Sequence, residues 1–192
     1  MLRAAILISP AAVSGAAVAQ PAITIEVDDP VLLPGESTTV RLLAGYTRPD
    51  YAIAGVATDF VTSVGSLGWG DGTLLDPMGG PGTQPGTPSA TGFDGILAGQ
   101  LQFIGAAIFA DPTNPIPFWE VTYTAPLDTT DAFVVDFRTM TSRYDVYLSM
   151  DSSRSESRLA ELIEGSGTIS VIPAPASIVV LVLGAACVRR RY

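Results

Sequence analysis

The chain has 192 residues, 47% of them hydrophobic, with nineteen acidic and ten basic residues and no histidine. Lysine is also absent and the one cysteine is Cys187. These absences exclude Ser-His-Asp, Cys-His and Ser-Lys catalysis, Schiff-base chemistry, a P-loop and the usual zinc ligand sets. All nineteen acids lie between Glu26 and Glu164, where six arginines oppose them; the resulting net charge near −13 repels phosphate backbones and argues against a nucleic-acid partner.

Met1-Leu2-Arg3 gives a short positive start, followed by the largely apolar run Ala4–Val13. Ala17-Val18-Ala19 then places small residues at the −3 and −1 positions before Gln20. This is the three-part pattern of a secretory signal peptide over residues 1–19. Ala17, Ala19 and Gln20 are the expected cleavage residues, and the export machinery and signal peptidase the expected partners.

Residues 20–172 read as an ectodomain of short strands broken by Gly, Pro, Asp and Asn. Alternation of apolar and polar residues predicts strands over Ala22–Val27, Ser37–Leu43, Tyr51–Ala57, Leu97–Gly105, Phe118–Thr124, Ala132–Met140, Arg143–Leu148 and Gly167–Ile172. Asp59–Val64, with Asp59 as its cap, and Ser157–Glu164 read as short helical segments, the second with Leu159, Leu162 and Ile163 on one face. Asp76–Gly95, dense in Gly and Pro, reads as a long structureless surface loop. The expected fold class is all-β: a single antiparallel β-sandwich, immunoglobulin-like or jelly-roll-like, flanked by a signal-peptide helix and a short C-terminal hydrophobic helix. Leu33-Pro34-Gly35-Glu36 before an alternating strand, and Thr122-Tyr123-Thr124-Ala125-Pro126, resemble immunoglobulin-like or cohesin-like exported modules, without the Cys…Trp…Cys core of antibody domains.

The chemistry left to such a domain is narrow. Paired carboxylates are the one catalytic arrangement the composition retains, and no pair stands out, so the ectodomain reads as non-enzymatic. No cofactor is expected. Calcium is the one candidate ion, through Asp28, Asp29, Asp71 and Asp76, although no segment has the EF-hand spacing. A surface ligand-binding module for glycan is the other reading, with Trp69, Trp119 and Tyr46 as stacking candidates.

At the C-terminus, Pro173-Ala174-Pro175 precedes thirteen uncharged residues, 176–188, and then Arg189-Arg190-Arg191. As a helix that segment is about 20 Å long, short of a hydrocarbon core of about 30 Å. A Pro-x-Pro motif, a short apolar helix and a terminal arginine cluster together resemble the PEP-CTERM sorting signal, with Ala174 where that family usually has Glu. The resemblance covers Ile172–Tyr192 and implies recognition and cleavage by an exosortase-like membrane protease. A plain C-terminal anchor is the alternative reading. Both attach the chain to the membrane through this helix, with the arginines on the cytoplasmic side and the domain at the cell surface.

Overall fold

The computed structural model describes residues 20–46, 50–106 and 108–173. Ala17, Ala19, Ala174, Pro175, Arg189, Arg190, Arg191 and both flanking helices expected from the sequence lie outside these residues. Among the described residues, no helix is long and apolar enough to cross a membrane.

Two sheets pack face to face. One has the order β1 (Ala22–Val27), β3 (Ser37–Gly45), β8 (Ile116–Thr124), β5 (Thr73–Leu74). The larger has the order β2 (Val31–Leu32), β11 (Ser166–Val171), β9 (Phe133–Tyr147), β4 (Ala52–Thr62), β7 (Gly92–Gly99), β6 (Gln84–Ser89), with β10 (Ser155–Ser157) also on β9. Neighbouring strands run antiparallel except β2 and β11, which pair in parallel. The all-β sandwich expected from the sequence is what forms.

Period-two alternation supplies the inner faces. On β8, Ile116, Phe118, Val121 and Tyr123 point inward between outward Glu120 and Thr122. A register shift opposite Leu42/Leu43 gives β8 one extra residue, and the kink buries both Phe118 and Trp119. Phe60 of β4 sits in an aromatic cage, with ring centroids 5.3 Å from Trp69 and Trp119 and 5.5 Å from Phe137. Truncating a fully buried ring of this kind costs about 3–5 kcal/mol. Before β3, Gly35 at φ +82° completes the turn begun by Pro34, and the Glu36 N–H donates back to the Leu33 carbonyl at 3.0 Å.

Four sequence expectations are corrected. The Asp76–Gly95 stretch is not a structureless loop, because Gln84–Ser89 is strand β6, hydrogen-bonded to β7. Pro85 and Pro88 are tolerated because β6 is an edge strand, where one side of the backbone needs no ladder partner. That edge is blunted further where the Trp119 indole N–H donates to the Pro85 carbonyl at 2.8 Å. Asp59–Val64 is not helical: β4 continues to Thr62, since pairing with both β7 and β9 outweighs the weak capping signal. Ser157–Glu164 contains a single 3-10 turn at Leu159–Glu161, and Ile163 is 53% exposed rather than on a shared buried face. The two strands expected over Ala132–Leu148 are one 15-residue strand, β9.

Candidate binding face

β9 is central to the larger sheet, and its outward side chains set the chemistry of that sheet's outer face. Val134, Asp136, Arg138 and Met140 alternate outward while Val135, Phe137 and Thr139 point into the core. Arg138 stands opposite Val61 of β4 and Ser166 of β11. Among the described residues it joins no salt bridge; Arg41, Arg143 and Arg158 are the paired arginines. On either side of it the face dips into a shallow depression. One, of about 520 Å³, is bordered by Val61, Ser63, Asp136 and Thr168; the other, of about 550 Å³, by Asp59, Met140, Ser142 and Glu164.

The second depression exists because β9 changes partners. β11 pairs with its first half and β10 with its last residues, which leaves the middle of β9 without a neighbouring strand on that side. Glu164 fills the role of the missing ladder. Its carboxylate accepts from the Thr139 hydroxyl at 2.6 Å, the Thr141 N–H at 2.7 Å and the Thr141 hydroxyl at 2.8 Å. Of the two other acids that border the depressions, one is held by its carboxylate and the other only by its backbone. Asp59 accepts the Gly95 N–H at 2.7 Å, while the Asp136 backbone exchanges hydrogen bonds with Ser63 at 2.8 and 3.0 Å. The face therefore combines the fixed carboxylates of Asp59 and Glu164, exposed Asp136, Val134 and Met140, and a guanidinium, unpaired among the described residues, that can receive a carboxylate bidentately.

The ligand candidates read from the sequence are not brought to such a surface. Trp119 is fully buried and Tyr46 is 4% exposed, its hydroxyl donating to the Pro112 carbonyl. Trp69 packs edge-on against Phe60 and Phe137 and 4.8 Å from the Tyr123 ring, with its indole nitrogen buried and unpartnered. None of the three is a platform for a sugar. Asp28 is held by the Arg41 guanidinium at 2.7 Å, and that hydrogen bond is the main reason Arg41 is pushed above its ordinary value. Asp29 lies beside it, with its N–H donating to the Thr38 hydroxyl. Asp71 and Asp76 lie on the loops either side of β5. Among the described residues no three acidic side chains gather into a cation site. Gln20 is exposed just before β1, and Pro173 follows β11.

Arg138 and Glu164 were not singled out in the sequence. The alternation of β9 identifies the side on which Arg138 lies, but its lack of a partner is a fact of tertiary structure. The role of Glu164 depends on where β11 begins, which no local signal announces.

No family model matches the chain and no curated protein matches it. Solved structures do. The sixth cohesin from scaffoldin B of Acetivibrio cellulolyticus, solved in complex with a Cel5 dockerin variant, is 10% identical over 81% of this chain and 98% of its own, with a TM-score of 0.50. A cohesin module from a Clostridium perfringens family 33 glycoside hydrolase is 12% identical over 81% of this chain and 99% of its own, with a TM-score of 0.48. Identity at this level speaks to architecture alone: residues 20–173 form a β-sandwich similar in fold to cohesin modules.

Proposed function

We propose that the chain is an exported, non-enzymatic surface module that binds a protein partner through the outer face of its larger sheet. The observation that carries this reading is Arg138, exposed between two depressions and without a salt-bridge partner among the described residues. A partner that presents a carboxylate to Arg138 and apolar side chains to Val61, Val134 and Met140 would satisfy it. The cohesin module that shares this fold is itself solved with a dockerin bound, which agrees with a protein as the occupant. Loss of binding by Arg138→Glu, with retention by a Glu26 variant on the smaller sheet, is the expected pattern. Equal binding by both variants would refute the assignment.

Export and sorting complete the reading. β1 begins at Ala22 and β11 ends at Val171, so cleavage between Ala19 and Gln20, and processing at Pro173-Ala174-Pro175, would both leave the sandwich whole. Mass spectrometry of the mature protein tests this. The expected product starts at Gln20, resides in the cell envelope or extracellular matrix, and has lost the segment that carries Arg189, Arg190 and Arg191. A cytoplasmic product that retains Met1 would contradict export. A surface product that retains Tyr192 would replace the exosortase-like step with a lasting membrane anchor.

A further inference from the structure

The connection from β7 to β8 carries an apolar tip that the proposed binding face does not use. Leu101, Phe103, Ile104, Ile108 and Phe109 are each 42–50% exposed. Leu148 and Met150 join them, because the Gln102 amide donates to the Ser149 carbonyl at 2.9 Å and the Ser152 carbonyl at 2.7 Å. These seven are nearly half of the fifteen large apolar side chains exposed among the described residues. So dense a patch marks an interaction site rather than ordinary surface.

The tip is built to be held out. Gln100 and Gln102 are 5% and 2% exposed. Gln100 donates to the Ile53 carbonyl at 2.7 Å and accepts the Asp111 N–H at 2.7 Å, clamping the base of the loop. Above the clamp, Phe103 and Ile108 exchange N–H to carbonyl bonds at 2.8 and 3.0 Å. Residues 95–110 include no charged side chain. Asp151 and Arg154 lie on or beside the segment clasped by Gln102; both are exposed, and neither joins a salt bridge among the described residues.

We propose that this tip enters a lipid surface with zwitterionic headgroups. A protein partner would need about one hydrogen bond per 100–200 Å² of interface, and the two polar side chains within residues 100–110, Gln100 and Gln102, are already bonded to the protein's own backbone. Hydrocarbon requires the opposite: no charge, and backbone groups satisfied internally. The rim offers one free carboxylate and one free guanidinium, matching the ammonium and phosphate of a zwitterionic headgroup. The net charge near −13 of the domain opposes an anionic bilayer. The chain leaves the sandwich at the Phe133 end of β9, whereas the tip lies at the Tyr147 end. At about 3.3 Å per residue those ends are roughly 45 Å apart, so a protein held by its C-terminal tail would present the tip to a different surface.

The test places a reporter in the tip of the full chain, where binding through the tail cannot imitate it. Phe109→Trp is mixed with phosphatidylcholine vesicles that contain brominated acyl chains. Blue-shifted emission and quenching are expected, weakening as phosphatidylglycerol is added and falling at least tenfold in apparent affinity with Ile104→Asp and Ile108→Asp. Near-ultraviolet circular dichroism checks that this triple variant is folded. Vesicle binding without quenching of the reporter would overturn the proposal, because contact would then run through another part of the chain. A blue shift without lipid that tracks protein concentration would overturn it in favour of a second copy.

Discussion

The ion pair between Asp50 and Arg158 fastens the connection between β10 and β11 to the end of the sandwich, and its removal gives a strong quantitative test of the fold. The Asp50 side chain is 1% exposed and holds the guanidinium through both oxygens, at 2.8 and 3.3 Å. Hydrogen bonding to Asp50 is the main reason that Arg158 is pushed above its ordinary value. Arg158→Met keeps most of the stem and removes the charge, leaving a buried carboxylate near Tyr144. Breaking a buried pair from one side costs about 3–5 kcal/mol. The Arg158 side chain is 25% exposed, so water offsets part of the loss and about 3 kcal/mol is expected. For a domain of this size that lowers Tm by roughly 6–12 °C. Asp50→Leu combined with Arg158→Met removes the orphan charge and returns stability to within about 1 kcal/mol of the parent. Thermal and urea unfolding of the parent, Arg158→Met, Asp50→Leu and the double variant, followed by near-ultraviolet circular dichroism, supply the double-mutant cycle. A fall of less than 2 °C for Arg158→Met alone would refute the buried pair.

Three further outcomes follow from the core and its turns. Trp119→Phe loses the bond to Pro85 and is expected to cost about 2–3 kcal/mol, whereas Trp69→Phe removes an unpartnered buried N–H and costs under about 1 kcal/mol; urea unfolding ranks the two. Gly92→Ala places a methyl 2.0 Å from the Phe60 carbonyl at φ +135° and is expected to destabilise by more than about 3 kcal/mol, while Gly105→Ala, with nothing within 4 Å, stays within about 0.5 kcal/mol in the same assay. Burial, with a smaller contribution from Asp50, pushes the Tyr144 hydroxyl well above the ordinary tyrosine value, where it donates to the Gly45 carbonyl. The stability tied to that proton is fully present below about pH 10 and is lost as pH rises further, because the unfolded chain gives the proton up first. Tyr144→Phe is expected to flatten this alkaline loss in unfolding curves collected at successive pH values.

Legibility in the sequence followed how local each cause was. β1 appears over its full expected span, and β8 and β9 betray their buried faces through Val121, Tyr123, Val135 and Phe137, because alternation on a half-buried sheet is a property of neighbouring residues. β6 was hidden because Pro85, Gly86 and Pro88 are poor strand residues everywhere except at an edge, and edge position is decided by the whole sheet. Asp59 resembled a helix cap for the same reason: nothing nearby in sequence shows that β7 and β9 flank it. Trp69, flanked by Gly68 and Gly70, is the less buried of the two tryptophans, as its glycine neighbours imply, although Phe60 and Tyr123 pack against its ring. On the candidate face, alternation gave the direction of Arg138 but not its lack of a partner among the described residues. The alternation of Leu97, Leu101 and Phe103 extends the expected strand to Gly105, although the ladder stops at Gly99 and the residues beyond it form the apolar tip.

The central claim is that the outer face of the larger sheet is the surface that meets a protein partner. A photoreactive amino acid introduced in turn at Val134, at Met140 and, as a control on the smaller sheet, at Glu26 tests it on the intact chain in the cells that produce it. The account predicts one protein crosslinked from the first two positions and not from the third, whose purified form binds the parent chain and loses affinity at least tenfold for Arg138→Glu. Crosslinking equally strong from Glu26, or a purified partner indifferent to Arg138→Glu, would contradict it.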